Sequence, residues 1–253
     1  MWSQAAPVVY TLFVWWFSTG VILYLVGLPR VTHKWTMAGS TLVLGAALVS
    51  VARTAGETGH VAAYCGFTAG LMVWAWQEVA FLLGYVTGPR RQPCPAQAQG
   101  WQRARFAWQT VVHHEIALFM LGATMLALTW GQPNQGATVT FFILWGMRQS
   151  AKLNLFLGVR NLNEHFLPAH LAYLGSYFRR RNMNGLFPLS VLVGSAAALV
   201  SWHLALAAGH DAASEAAALL AATLLSLGLL EHWFMVIPLP SHALWEWGMR
   251  SRD

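Results

Sequence analysis

Apolar residues run through this chain in long blocks, with little of the strict alternation of half-buried strands, and the blocks recur from one end to the other. Windows of about 20 such residues, enough for a helix to cross a ~30 Å hydrocarbon layer, fall at roughly 7–28, 36–52, 61–87, 106–130, 137–159, 186–208 and 216–240. The pattern predicts an all-α polytopic transmembrane helix bundle of about seven spans, a single integral-membrane domain over 1–253. Two connections are longer than linkers. Residues 88–105, GPRRQPCPAQAQGWQRAR, form a basic, proline-containing loop. Residues 160–184 carry Phe166, Leu167, Leu171, Leu174, Tyr177 and Phe178 at near-helical spacing before three arginines, the pattern of an amphipathic helix lying at the membrane surface.

Composition agrees with a bilayer environment: 57% of the 253 residues are hydrophobic and 9% charged, against roughly 25% charged in a soluble domain. The net charge of +6 does not point to nucleic acid, because the basic residues are spread over loops and form no stripe on one helix. The first residues lack a basic region and a small-residue cleavage site, so the first apolar stretch is expected to stay as a span. Cys65 and Cys94 fall at different depths and are expected to stay unbridged.

Charge placement predicts orientation. Arg30 and Lys34, then Arg90, Arg91, Arg103 and Arg105, then Arg160 with Arg179, Arg180 and Arg181, then Arg250 and Arg252 alternate with loops holding Arg53 with Glu57, the uncharged GQPNQG, and Asp211 with Glu215. The positive-inside rule then puts the N-terminus in the periplasm and the C-terminus in the cytoplasm. Arg90, Arg91, Arg179, Arg180 and Arg181 become the candidate surface for anionic lipid or a partner. Trp2, Trp35, Trp101, Trp130, Trp202, Trp245 and Trp247 fall near span ends as interfacial anchors, and His33, His60, His210 and His242 fall there as solvated side chains.

Ionisable residues within spans are costly and mark helix ties or function. Counting about 1.5 Å per residue from the cytoplasmic ends, Glu78, Glu115 and Glu231 share one level, roughly 14 to 15 Å deep. His113, His114 and His232 lie beside that level, and the fifth span adds Arg148, Lys152 and Asn154. Three readings of this layer stay open. One is a metal site of di-iron type, built from Glu78, His114, Glu115, Glu231 and His232 with Glu164, His165 and His170 folding up beneath the bundle. The spacing departs from the Glu-x-x-His pattern of such sites, and neighbouring residues on a helix point about 100° apart. A second reading is a network in which Glu78, Glu115 and Glu231 pair with Arg148, Lys152 and the imidazoles, with Asn154 as a further structural partner, and lock the helices together. The third is a pocket for a pigment or a quinone using His113, His114 or His232. No glycine-rich phosphate loop, nucleophile elbow or inverted repeat is present to favour a nucleotide, hydrolase or transporter reading.

The segments LFVWWFSTG (12–20), GYVTGPRRQPCP (84–95), HHEIAL (113–118) and SAKLNLFLGVRNLNEHFLPAHLAYLGSYFRRRNMN (150–184) carry a resemblance over essentially the whole chain. The chain resembles the photosynthetic complex assembly protein 2 family, PuhE, of phototrophic bacteria. The resemblance implies a protein of the bacterial inner (intracytoplasmic) membrane, associated with the gene group of the reaction-centre H subunit. The function it implies is assembly of the reaction centre and core antenna, with reaction-centre or light-harvesting 1 subunits as partners. It implies a process and transfers no residue roles. Two other functions stay beside it: a membrane metalloenzyme acting on a pigment, carotenoid or quinone, and a permanent accessory subunit of the complex.

Overall fold

The fold was analysed in a computed structural model that describes residues 2–207 and 211–252. His210 and the side chains of Trp2 and Arg252 lie outside the described residues. Seven long helices follow in order: α1 (Trp2–Gly27), α2 (His33–Thr54), α3 (His60–Leu82), α4 (Gly100–Thr129), α5 (Gly136–Leu157), α6 (Leu186–Ala205) and α7 (Ala212–Phe234), with a short α8 (Glu246–Met249) near the end. Five of them, α1, α2, α4, α6 and α7, are long and apolar enough to cross a membrane. The chain is an all-helical, multi-pass membrane protein. Between α5 and α6, Val159 and Arg180 form an isolated parallel bridge.

The helix ends have local causes. Asp211 caps α7 by accepting from the Ala213 and Ser214 amides at 2.9 Å. Gly84, at φ +82°, ends the turn after α3, a backbone region that disfavours a side chain. Pro238 and Pro240 follow α7 and keep it from continuing. Both α3 and α7 therefore stop soon after their carboxylates, Glu78 and Glu231, and do not extend through the windows 61–87 and 216–240 expected from hydropathy.

The bundle is built around α3, which packs against α1, α2, α4, α5 and α7 and buries 14 of its 23 residues. Gly66 and Gly70, one turn apart on α3, let it approach α5 closely: a Cβ at Gly70 would overlap the Ala137 backbone and Thr140. Trp74, Leu118, Met125 and Phe141 fill the α3–α4–α5 core beside Ala47 and Val51 of α2. The sixth helix sits at the edge, against α7 and α5.

Two segments close the end of the bundle where α3 and α7 stop. The stretch expected as an amphipathic helix is instead a 3₁₀ helix over Ala169–Tyr177. Its buried residues, Leu171, Leu174 and Tyr177, recur every third position, which suits three residues per turn. Leu171 and Leu174 pack on Phe81, Leu82 and Leu83 from the end of α3 and on Val26 of α1. The C-terminal segment runs along the second half of α1. Trp245 donates to the Trp16 carbonyl at 2.9 Å, Trp16 donates to the Leu244 carbonyl at 2.8 Å, and Ser251 donates to the Tyr24 carbonyl at 2.8 Å. Trp245 is 4% exposed and packs on Trp15, so it is not the outward-facing anchor its position near a span end implies. Trp35, Trp101 and Trp130 do stand exposed.

Candidate functional site

Where α3 and α7 stop short, α1, α3, α4, α5 and α7 enclose a cavity of about 580 Å³, floored by residues 162–178 and Trp245. Its walls are mostly apolar and aromatic, with Trp15, Trp74, Trp108, Phe81, Phe156 and Phe166 among them. Glu78, Glu115, Arg148, Gln149, Lys152 and Glu231 interrupt that apolar surface. Three carboxylates placed at one depth by residue counting therefore line one chamber.

Their partners differ. Arg148 and Lys152, one turn apart on α5, serve different helices. Arg148 Nη2 reaches Glu78 Oε2 on α3 at 2.5 Å, and Lys152 Nζ reaches Glu115 Oε1 on α4 at 2.6 Å. Gln149 donates to the second oxygen of Glu115. The ion pairs thus bridge α3–α5 and α4–α5, with Glu78 and Glu115 largely withdrawn from solvent. Glu231 lies apart. It accepts from the Trp15 indole of α1 at 2.8 Å, and no cation stands within ion-pair distance of it among the described residues.

The histidines do not join this layer as a set. His232 is buried and fully engaged, with Nδ1 at 2.8 Å from the Gly228 carbonyl and Nε2 at 2.8 Å from Ser150 Oγ, a tie between α7 and α5. His114 is 1% exposed, its ring lies tilted against Phe81 with centroids 4.7 Å apart, and neither ring nitrogen has a hydrogen-bond partner among the described residues. His113 is exposed. Asn154 is buried outside the cavity lining and joins α5 to α6: it donates to Ser190 Oγ and accepts from Asn184, each at 3.0 Å.

Glu164, His165 and His170 are also directed away from the chamber, although their own segment floors it through Leu162, Phe166, Leu167 and Leu174. Glu164 pairs with Arg180 at 3.1 Å, His165 faces His242 with ring centroids 4.7 Å apart, and His170 packs against Gly84. Burial pushes the His170 imidazole below its ordinary pKa of 6.5, with Arg30 and Arg91 acting the same way. Among the described residues, no three metal-ligating side chains converge. The cavity donor set is two carboxylates held by fixed cations plus one held by an indole. What this arrangement can do chemically is hold a largely hydrophobic molecule bearing a few polar atoms.

Reading the sequence by topology missed two features. Arg103, counted there as a loop charge, is 6% exposed in the first turn of α4, donates to the Phe156 carbonyl at 3.1 Å and to the Tyr177 carbonyl, and stacks on the Phe156 ring at 4.0 Å. Tyr177 is the second. Its hydroxyl accepts from Arg90 Nε at 2.7 Å and donates to the Gln92 carbonyl at 3.0 Å. With Cys94 N donating to Ser176 Oγ at 2.8 Å, these contacts join loop 88–105 to the cavity floor. Among the docking arginines, Arg90 is thus partly internal, Arg91 is tied to the Gly84 carbonyl at 3.0 Å, and Arg180 and Arg181 stand exposed.

The whole chain, residues 1–253, matches the family model described as "Protein of unknown function (DUF3623)". A relative in Rhodobacter capsulatus, described as an uncharacterized 30.4 kDa protein in the puhA 5′ region, is 40% identical over 245 residues, which cover 95% of this chain and 89% of the relative. No solved structure matches. The chain belongs to the DUF3623 family.

Proposed function

We propose that this chain is a membrane factor for assembly of the photosynthetic reaction centre and its core antenna, and that its interior chamber holds a hydrophobic ligand with a polar head, such as bacteriochlorophyll or a quinone, during that process. The observation that carries the ligand reading is the cavity itself. Its volume of about 580 Å³ lies in the range of small-molecule pockets, and its apolar walls carry a few placed polar groups. The process reading rests on the family resemblance at 84–95 and 150–184 and on the relative in the puhA 5′ region. Deleting the gene lowers assembled reaction-centre and core-antenna levels while bacteriochlorophyll synthesis continues. Unchanged levels of both complexes would refute the proposal. A transient factor is absent from mature complexes, so stoichiometric co-purification with them would favour a permanent accessory subunit.

The same proposal places the chain in the bacterial inner membrane with seven spans, N-terminus in the periplasm and C-terminus in the cytoplasm. Two observations support this. First, α3 and α5 have 23 and 22 residues, as long as α2 and α7, and their Glu78, Arg148 and Lys152 line the cavity. Second, Arg30, Arg90, Arg160 and Arg250 lie on alternate connections. Reporter fusions at Gly56, Gly131 and the C-terminus read this topology directly.

A further inference from the structure

A second pocket, about 470 Å³, lies beside the cavity floor, between residues 160–165, Arg180 and the turn at 239–242. Its character is opposite to that of the chamber. Arg160, Arg180, His165 and His242 line it, and Glu164 is the one carboxylate in its wall. Backbone contacts fix it from several sides. The Val159–Arg180 bridge brings two separate arginine-bearing stretches side by side. The Asn161 side-chain amide donates to the Phe234 carbonyl at 2.8 Å and the Ile237 carbonyl at 2.5 Å, which anchors the turn carrying His242.

The charge balance is positive. Glu164 takes one hydrogen bond from Arg180 Nη2 at 3.1 Å, leaving most of the five N–H donors of that guanidinium available. Arg160 is exposed and makes no ion pair among the described residues. Two imidazoles stand edge to face at the same wall. Planar guanidinium forks with imidazole N–H groups suit a tetrahedral oxyanion, which offers several acceptor oxygens at once. A metal suits the pocket less well, because its carboxylate is already held by a cation. Leu162 and Asn163 line both this pocket and the apolar chamber, so an anionic head lodged here sits next to apolar space.

We propose that this pocket binds the phosphate group of a phosphate ester. The source is either the headgroup of an anionic phospholipid or a soluble phosphate ester, and the chemistry at the pocket is the same.

The test uses the full chain. In one arm, protein in phosphatidylcholine nanodiscs with and without phosphatidic acid is assayed for lipid retention by native mass spectrometry. In the other, detergent-purified protein is titrated with inorganic phosphate and glycerol 3-phosphate and followed by thermal midpoint. Arg160→Gln weakens binding about tenfold and Arg160→Gln with His242→Gln about a hundredfold, in line with charge-assisted hydrogen bonds. Arg105→Gln, which removes an exposed cation outside the pocket, leaves binding unchanged. Retention of phosphatidic acid alone assigns the lipid source, and a response to glycerol 3-phosphate assigns the soluble one. Absence of binding in both arms, or an equal loss in Arg105→Gln, overturns the proposal. Among the described residues the exposed Arg160 side chain makes no hydrogen bond or ion pair, so its variant tests the pocket with the fold intact.

Discussion

The indole of Trp15 on α1 donates to the carboxylate of Glu231 on α7 at 2.8 Å, on the wall of the main cavity. Unlike Glu78 and Glu115, Glu231 forms no ion pair among the described residues, and the indole is its hydrogen-bond partner across the α1–α7 contact. Replacing Trp15 with Phe keeps the apolar bulk and removes the donor. Hydrogen bonds to charged groups contribute about 1.5–3 kcal/mol. Trp15→Phe is expected to lower stability by about 2 kcal/mol, read as a fall in thermal midpoint in detergent. An unchanged midpoint would show that Glu231 does not depend on the indole.

The pair Lys152–Glu115, at 2.6 Å, is mostly withdrawn from water. Removing one member of a buried pair leaves a charge without compensation, at a cost of about 3–5 kcal/mol, whereas replacing both with apolar groups is often neutral. Glu115→Gln alone is expected to destabilise by about 3 kcal/mol, and Glu115→Gln with Lys152→Met to recover most of it. A double-mutant cycle in urea or SDS measures the coupling. Additive losses would show that the two side chains act independently.

Tyr177 joins the floor of the cavity to loop 88–105 through Arg90 and Gln92. Tyr177→Phe keeps the buried ring and deletes both hydrogen bonds, for an expected loss of about 2 kcal/mol. The loss should concentrate locally. Hydrogen exchange and limited proteolysis should both accelerate across 88–105, while α3 and α7 keep their protection.

His170 packs against Gly84 and is held below its ordinary pKa of 6.5, chiefly by burial. A depressed folded-state value means that the unfolded chain binds the proton more readily. The contribution of His170 to stability is therefore complete above pH 6.5 and lost as pH falls below it toward the folded value. Thermal midpoints measured from pH 8 to about pH 5 should fall on the acid side, and His170→Gln should flatten that fall. An identical slope in the variant would assign the acid sensitivity elsewhere.

Helices, helix ends and side-chain pairs leave unequal traces in the sequence. The seven helices were legible because hydrocarbon demands about 20 consecutive apolar residues with every backbone group bonded internally, a constraint that leaves a long signature. That Glu78, Glu115 and Glu231 line one cavity agrees with a count of helix rise, which converts residue number into position along a helix axis. Helix ends were less so. Hydropathy carries the third window to 87 and the seventh to 240, but Gly84 and the prolines after α7 end those helices sooner, and the missing turns leave room for the cavity.

That Arg148 and Lys152 could meet carboxylates was legible, but the individual pairs were not. Arg148 and Lys152 stand on one face of α5, and residue spacing alone does not say which carboxylate each one takes. The choice follows from α5 lying between α3 and α4, so that neighbouring turns of one helix meet different partners. Arg103 reads as a loop charge until α4 starts at Gly100 and the floor folds under it. Glu164, His165 and His170 share the segment that floors the chamber, yet its three-residue turn sends Leu171, Leu174 and Tyr177 inward and the ionisable groups elsewhere. The sequence by itself determined the long helices and their number, because those depend on local hydrogen bonding and transfer from water. Only the tertiary structure decided which charges meet and where space remains, because both depend on contacts between residues far apart in the chain.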